Sequence, residues 1–305
     1  MNPIKTFGPN NAGSMNFQLV LIKPNGFDFV ESFREVMEAI QWGLQQLGHD
    51  APIRTNTIAP DATPIVFGAH HLVRESVSLL PPPSIIYNLE QLMPGYPWYQ
   101  PHYLDILKRF RVWDGDLQST EWLRKSGIAS SAIHVPVAYA PPLSRIAVRP
   151  DQDVDVLFYG VQTMRRQQIL RALADSGLRV VVLNNVWGKK RDDWIARTRV
   201  VLNMHQQQGG RLEAARLIYL IANGVPVVSE VDNLATVEPN LAGAFMAARF
   251  DDLVSSCVML AGRIDLRSQL AEAGKAAALS PHFDASRIVA GAIAATSSIA
   301  DRCSL

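Results

Sequence analysis

The stretch from Arg199 to Glu230, RVVLNMHQQQGGRLEAARLIYLIANGVPVVSE, limits the architecture more than any other part of the chain. It reads as a short buried strand from Val200 to Asn203, a polar loop containing glycines, a helix, a stop at Gly224 and a second short apolar strand. A helix joining two such apolar runs is a β-α-β crossover, and a crossover requires a parallel sheet. Open parallel sheets bind ligands beyond the carboxyl ends of their strands, where the loops converge. Here those loops are His205 to Arg211 and Ser229 to Asp232, with Glu213 and Arg216 near the start of the helix between them. This segment is expected to be the ligand-holding part of the molecule.

The same alternation runs through the rest of the chain. After a polar leader over residues 1–15, FQLVLI reads as a first strand, Val30 to Leu47 as a helix closed near Gly48, and TPIVFG as a second strand. Ala69, His70 and His71 follow, then a helix to Leu80, the triplet Pro81 to Pro83, and a strand from Ile85 to Asn88. MPGYPWYQPHY is an aromatic, Pro-rich ordered loop; Tyr103 to Phe110 is helical, RVWD a strand, Ser119 to Ser126 a helix and HVPVAY a strand. Across APPLSRIAVRPDQD the pattern restarts with DVLFYG, a helix from Met164 to Asp175, LRVVVLNN, a helix near Asp192 to Arg197, and the crossover. A short strand at Ala247 to Phe250 and three helices complete it. The expectation is α/β: a flexible leader (1–15) and two Rossmann-like domains, 16–145 and 146–305, facing each other across a cleft.

Composition removes several classes of function. The 305 residues suffice for two domains, and 48% hydrophobic with 19% charged residues describes a globular chain. A net charge of +1 lacks the basic excess of a nucleic-acid footprint, so an anionic ligand has to be met by local charges. Cys257 and Cys303 are too few for a disulfide framework and lack metal-ligand spacing. No apolar run approaches the ~18 residues of a membrane span, and the leader has no signal-peptide pattern, so cytoplasmic residence is expected. There is no G-x-G-x-x-G, no G-x-x-x-x-G-K-[ST] and no G-x-S-x-G, which argues against dinucleotide redox, P-loop and α/β-hydrolase chemistry.

Several segments resemble the two-domain glycosyltransferases of the GT-B fold. VLFYGVQTMRRQQIL is similar to the first β-α loop of their donor domain, and the crossover to the segment that grips the nucleotide sugar. SIIYNLEQL, RVWDGDLQSTEWLRKSGI and HVPVAYAPPL are similar to N-terminal halves found in bacterial surface-glycan and polysaccharide enzymes. One branch of the family carries two glutamates eight apart, the second five residues before the glycine; those places hold Arg211 and Tyr219 here. The resemblance implies transfer of a sugar from a nucleotide-diphosphate sugar to the hydroxyl of a glycan, lipid-linked or other acceptor. It implies a donor substrate in place of a cofactor, and no metal. A nucleotide-sugar epimerase and a non-catalytic nucleotide- or glycan-binding module remain alternatives.

The residues themselves suggest how. Gly160, Arg165 and Arg166 lie between a strand and a helix start, where free N–H groups and guanidinium forks favour a diphosphate. Glu213 with Arg216 suits ribose or sugar hydroxyls, and His205, Arg211, Ser229 and Glu230 line the same strand ends, His205 as a contact to a sugar phosphate. In the first half, His70, His71 and Glu90 compete as general base for an acceptor hydroxyl, with Asp28 a weaker third and Tyr96, Trp98 and Tyr99 as a stacking wall. Asp114-Gly-Asp116 and Asp153-Val-Asp155 have a D-x-D spacing that can hold a divalent metal, and His71 with Glu75 an i,i+4 spacing.

Overall fold

The computed structural model describes residues 5–6, 16–92 and 94–303. The leader therefore lies outside the described residues, except for strand β1 (Lys5–Thr6), as does Met93 of the aromatic loop. The chain divides into two compact units, Met1–Ala140 with Phe283–Leu305, and Pro141–His282.

The first unit carries β2 (Phe17–Leu21), β3 (Ile53–Thr55), β4 (Thr57–Ile58), β5 (Thr63–Phe67), β6 (Ile85–Asn88), β7 (Arg111–Asp114) and β8 (Ile133–His134). Six of them form one parallel sheet in the order β3-β2-β5-β6-β7-β8, while β1 pairs only with β4. Helices α1 (Arg34–Gln46), α2 (Arg74–Val77), α3 (Pro101–Arg109) and α4 (Leu117–Lys125) join the strands. Every residue of β2 and β6 is buried, as expected of parallel strands covered on both faces. The expected helix to Leu80 is instead a 3-10 turn at Ala69–His71 followed by the single turn of α2. Of HVPVAY, His134 belongs to β8 (Ile133–His134), and Tyr139 forms an isolated bridge with Asp284.

The second unit contains β9 (Val154–Tyr159), β10 (Val180–Leu183), β11 (Thr198–Asn203), β12 (Val227–Glu230) and β13 (Met246–Ala248). They form a parallel sheet in the order β10-β9-β11-β12-β13. Its helices are α5 (Met164–Asp175), α6 (Gly188–Ala196), α7 (Ala214–Ala222), α8 (Leu253–Gly262) and α9 (Ile264–Ala278). Val156, Phe158, Val200, Leu202 and Val228 pack against Leu253, Cys257 and Leu260 of α8. At about 1.5–3 kcal/mol for each large side chain removed from water, this is what holds the sheet against that helix.

The last helix, α10 (Ala285–Cys303), returns to the first unit. Tyr139 N donates to Phe283 O at 2.7 Å, and the Trp113 indole donates to Thr296 Oγ1 at 2.9 Å inside the first core. Residues 283–305 thus group with residues 1–140 and not with the second domain, to which a division at 145/146 assigned them. The error has a simple cause, since an amphipathic helix does not announce which sheet it covers.

Numbered along the chain, the strands of both main sheets run 2-1-3-4-5, the first adding a sixth at one edge. In this order the crossovers turn in opposite directions on either side of strand 1, so the loops leaving strands 1 and 3 part and open a crevice. That point lies between β9 and β11 in the second unit and between β2 and β5 in the first.

Candidate functional site

At the β9/β11 switch point, three arginines and two glutamates from three separate segments converge. Arg165 and Arg166 open α5, where Thr163 caps the helix by accepting from Arg166 N. Arg165 forks onto Glu230 at the end of β12, Nη1 to Oε2 at 2.8 Å and Nη2 to Oε1, and its guanidinium carbon sits 3.8 Å from the centre of the Phe250 ring. Glu230 has no exposed surface.

Arg166 is almost as buried, and it spends four of its five N–H groups. Nε donates to His205 O, Nη1 to Val161 O, and Nη2 to both Met204 O and Glu213 Oε1. It is a bracket that ties the loop after β9 to the loop after β11. Burial lowers its pKa while Glu213 pulls the other way.

Glu213 is the residue at which α7 begins, and its second oxygen pairs with Arg216 Nη2 at 2.9 Å. Burial pushes this carboxyl up, but Arg216 and Arg166 outweigh it and hold the pKa below the usual range. Arg216 also donates to Asn203 Oδ1 at 3.2 Å and lies 4.7 Å from the centre of the Tyr159 ring. Asn203 in turn donates to Ser229 Oγ at 3.0 Å. Gly160 makes this crowding possible: its φ is +137°, and a Cβ there would stand 3.2 Å from Arg216 Nη2 and 3.6 Å from Arg166 Nη1.

The structure therefore brings together Gly160, Arg165, Arg166, His205, Glu213, Arg216, Ser229 and Glu230, with Arg211 half-buried in the loop before α7. Asn203, Phe250 and Tyr159 belong to the same cluster and were missed. The asparagine had a signal, a polar residue ending an otherwise apolar strand. Tyr219, in the place of a family glutamate, is buried and donates to Asp192 Oδ2 at 2.8 Å, away from the cluster.

The corresponding point of the first unit has a different character. His70 Nε2 and His71 Nε2 are 2.9 Å apart and share a hydrogen bond, and Glu90 Oε1 lies 3.7 Å from His70. Trp98 covers both imidazoles, its ring centre 4.2 Å from His70 and 5.0 Å from His71, and Phe27 meets His71 at 5.0 Å. Burial and the adjacent His71 push His70 down to about 2, and burial also lowers His71. His70 is therefore too weak a base to take a proton near neutral pH, which leaves His71 and Glu90 for that role. Asp28 pairs with Lys23 at 2.7 Å, Tyr96 is half-buried, Tyr99 packs on Trp122, and Trp98 of the proposed aromatic wall faces the histidines.

Neither D-x-D pair is arranged for a metal. Asp114 is buried and accepts from Asn88 Nδ2, Ser119 Oγ and Asp116 N, while Asp116 caps α4. Asp153 is held by Arg197 and Arg179, and Asp155 by Arg199. Among the described residues, one group of three has metal-ligand spacing, His205, Glu230 and Asp232, and it does not include His71 and Glu75. Arg165 already occupies both oxygens of its Glu230.

Two units, each built on a parallel sheet, make a fold like that of GT-B glycosyltransferases. Among solved structures, sucrose-phosphate synthase from Thermosynechococcus elongatus matches with a TM-score of 0.60 at 12% identity, over 94% of this chain and 100% of that one. HepE of Anabaena, solved with UDP and glucose, matches with a TM-score of 0.57 at 13% identity, over 95% and 100% of the two chains. No family model matches the chain. An uncharacterised protein of Acanthamoeba polyphaga mimivirus is 26% identical over 157 residues; the match spans 48% of this chain and 48% of that protein. No helix among the described residues is long and apolar enough to cross a membrane.

Proposed function

We propose that the protein is a glycosyltransferase that takes a sugar from a nucleotide-diphosphate sugar held in the second unit and passes it to a hydroxyl acceptor held in the first. The observation that carries this is the cluster at the β9/β11 switch point, where three guanidiniums face two carboxylates on a GT-B scaffold. That HepE was solved with UDP-glucose adds to it.

The geometry divides the labour. Arg166 is spent on the backbone, so its task is to fix the loops. Arg216 and Arg165 keep donors over, and the first turn of α5 adds N–H groups and the positive end of its dipole. Cations fixed before the reaction stabilise the charge that develops on the leaving diphosphate without reorganising, the largest catalytic term in sites of this kind. Glu213, held ionised by its arginines, accepts from ribose or sugar hydroxyls. In the first unit Trp98 offers a face to a sugar, and His71 or Glu90 receives the acceptor proton. No cofactor is needed for these steps. Residence in the cytoplasm, where nucleotide sugars are made, fits this reading.

The test is calorimetric titration of the protein and of Arg216→Ala with UDP, GDP, dTDP and ADP, followed by a nucleotide-release assay with and without glycan acceptors. One diphosphate should bind the parent, and the variant should bind it about tenfold or more weakly, as expected for a lost charge-assisted hydrogen bond. Binding of none of them would overturn the proposal. Release of nucleotide at the same rate with and without acceptor would favour the epimerase, or a hydrolase.

A further inference from the structure

Among the described residues of the second unit, His205 is the side chain with two buried polar atoms left without a hydrogen-bond partner. His205, just beyond β11, is 4% exposed, and neither ring nitrogen has a hydrogen-bond partner. Its backbone N–H donates to Glu230 Oε2 at 2.8 Å, but the ring stands 3.6 Å from Glu230 Oε1, too far for a hydrogen bond. Burying two unpaired nitrogens costs stability, and a sequence that keeps them has another use for them. The chain also makes room for this ring: a Cβ on Gly210 would fall 2.8 Å from His205 Cβ and 2.9 Å from Cγ, so the loop closes over the imidazole only with glycine there.

The surroundings say what the ring can bind. One of its nitrogens lies within 4.8 Å of a carboxylate oxygen of Glu230 and of one of Asp232, and Asp232 is exposed, so the group opens to solvent on that side. Burial lowers the His205 pKa against the pull of Glu230, Glu213 and Asp232, leaving a neutral ring with one N–H and one lone pair. With one N–H, one lone pair and two carboxylates nearby, the ring suits an uncharged partner better than the sugar phosphate expected of it. A cation fares poorly as well, because Arg165 already lies on Glu230. A hydroxyl fits, since it both donates and accepts.

We infer that His205 reads a hydroxyl of the bound nucleotide sugar, with Asp232 beside it to accept from the neighbouring hydroxyl of the same diol. This rests on the proposed donor site. Both the ribose and the transferred sugar carry such a diol, and the test separates them.

Calorimetry compares the parent, His205→Leu and His205→Gln with UDP, GDP and ADP, their 2′-deoxy forms, and their glucose esters. Leucine nearly fills the same volume without polar atoms; glutamine keeps a donor and an acceptor. If the ribose is read, His205→Leu binds the diphosphates about tenfold or more weakly and loses the parent's preference over the deoxy forms. If the sugar is read, only the glucose esters weaken. In both cases His205→Gln recovers part of the loss, and unliganded His205→Leu is at least as stable as the parent. A measurement on the parent alone, the ring ¹⁵N shifts of His205, should move on adding the ligand. Parent-like affinities in His205→Leu for every ligand, with ring shifts unmoved, would overturn the inference while leaving the donor site intact. Binding of Zn²⁺ or Mn²⁺ alone, lost in His205→Leu, would replace it with a metal site. A parent that binds no diphosphate would remove the donor site and the inference together.

Discussion

The two sheets share a strand order and use it with opposite electrostatics. The second unit gathers charge at its switch point and compensates it internally, Arg165 against Glu230 and Arg166 with Arg216 against Glu213. The first gathers histidines, removes their charge by burial, and roofs them with Trp98. A diphosphate has to be met by fixed cations, whereas an acceptor hydroxyl and a sugar face need a neutral, partly apolar pocket. One topology thus supplies two crevices, and the residues after strands 1 and 3 decide which chemistry each can hold.

The comparison breaks most readily at Glu230. Arg165→Met leaves a fully buried carboxylate unpaired and should cost about 3 kcal/mol or more in urea-induced unfolding. Adding Glu230→Gln to that variant should return most of the loss, because the stranded charge, and not the missing contact, is what costs. A loss below about 1 kcal/mol would mean that water reaches Glu230 and that the second unit's charge is not internally balanced.

The first unit should answer to pH instead, and through two opposed groups. Burial pushes Asp114 up to about 7 from 3.8, so the native state binds more protons than the unfolded chain in between, and stability falls as pH rises through that window. His70, pushed down to about 2 from 6.5, does the reverse: stability is full above 6.5 and is lost as pH falls. The two slopes, each up to about 1.4 kcal/mol per pH unit, oppose each other from about pH 4 to about 6.5. Asp114→Asn should therefore steepen the acid loss of hydrogen-exchange protection in β5 and β6, and His70→Phe should invert it. A pH profile identical to the parent's in both variants would show that neither group is buried as described. Glu213→Gln sharpens the contrast more gently: with no carboxylate between them, Arg166 and Arg216 should repel, and diphosphate affinity should change by about tenfold with little effect on the first unit.

Legibility in the sequence followed the range of the interaction. The apolar runs of β2, β5, β6, β9, β11 and β12 and the helix at 164–175 could be read, because periodicity and caps are local. The candidate positions could also be read, because strand-end loops in a parallel sheet converge. What each residue does there could not. Arg166 looked like a diphosphate ligand until its backbone partners 38 and 39 residues away were visible. Asp114 and Asp116 looked like a metal pair, and are a buried acceptor and a helix cap. His70 looked like a base, and only burial under Trp98 shows otherwise. His205 could be placed, but that its ring nitrogens have nothing to bond has no sequence signature at all.

The smallest effect tests whether the second unit's cluster ends where the geometry says it does. Tyr219 stands where one branch of the family has a glutamate, yet its hydroxyl donates to Asp192 Oδ2 at 2.8 Å and accepts from Arg145 Nε at 3.1 Å. Arg191 lies 4.8 Å from its ring centre and 5.6 Å from that of Tyr159, on whose ring Arg216 also packs at 4.7 Å. Tyr219 thus reaches the arginine cluster through two stacked intermediaries. Tyr219→Phe removes one partner of a buried carboxylate, so it should cost about 1 kcal/mol in unfolding free energy. It keeps the stacked ring, so Arg216 should stay in place and diphosphate affinity should remain within about twofold of the parent. A tenfold weaker affinity at that small cost in stability would mean that the hydroxyl itself touches the ligand, and that the tyrosine has kept the glutamate's place in the site.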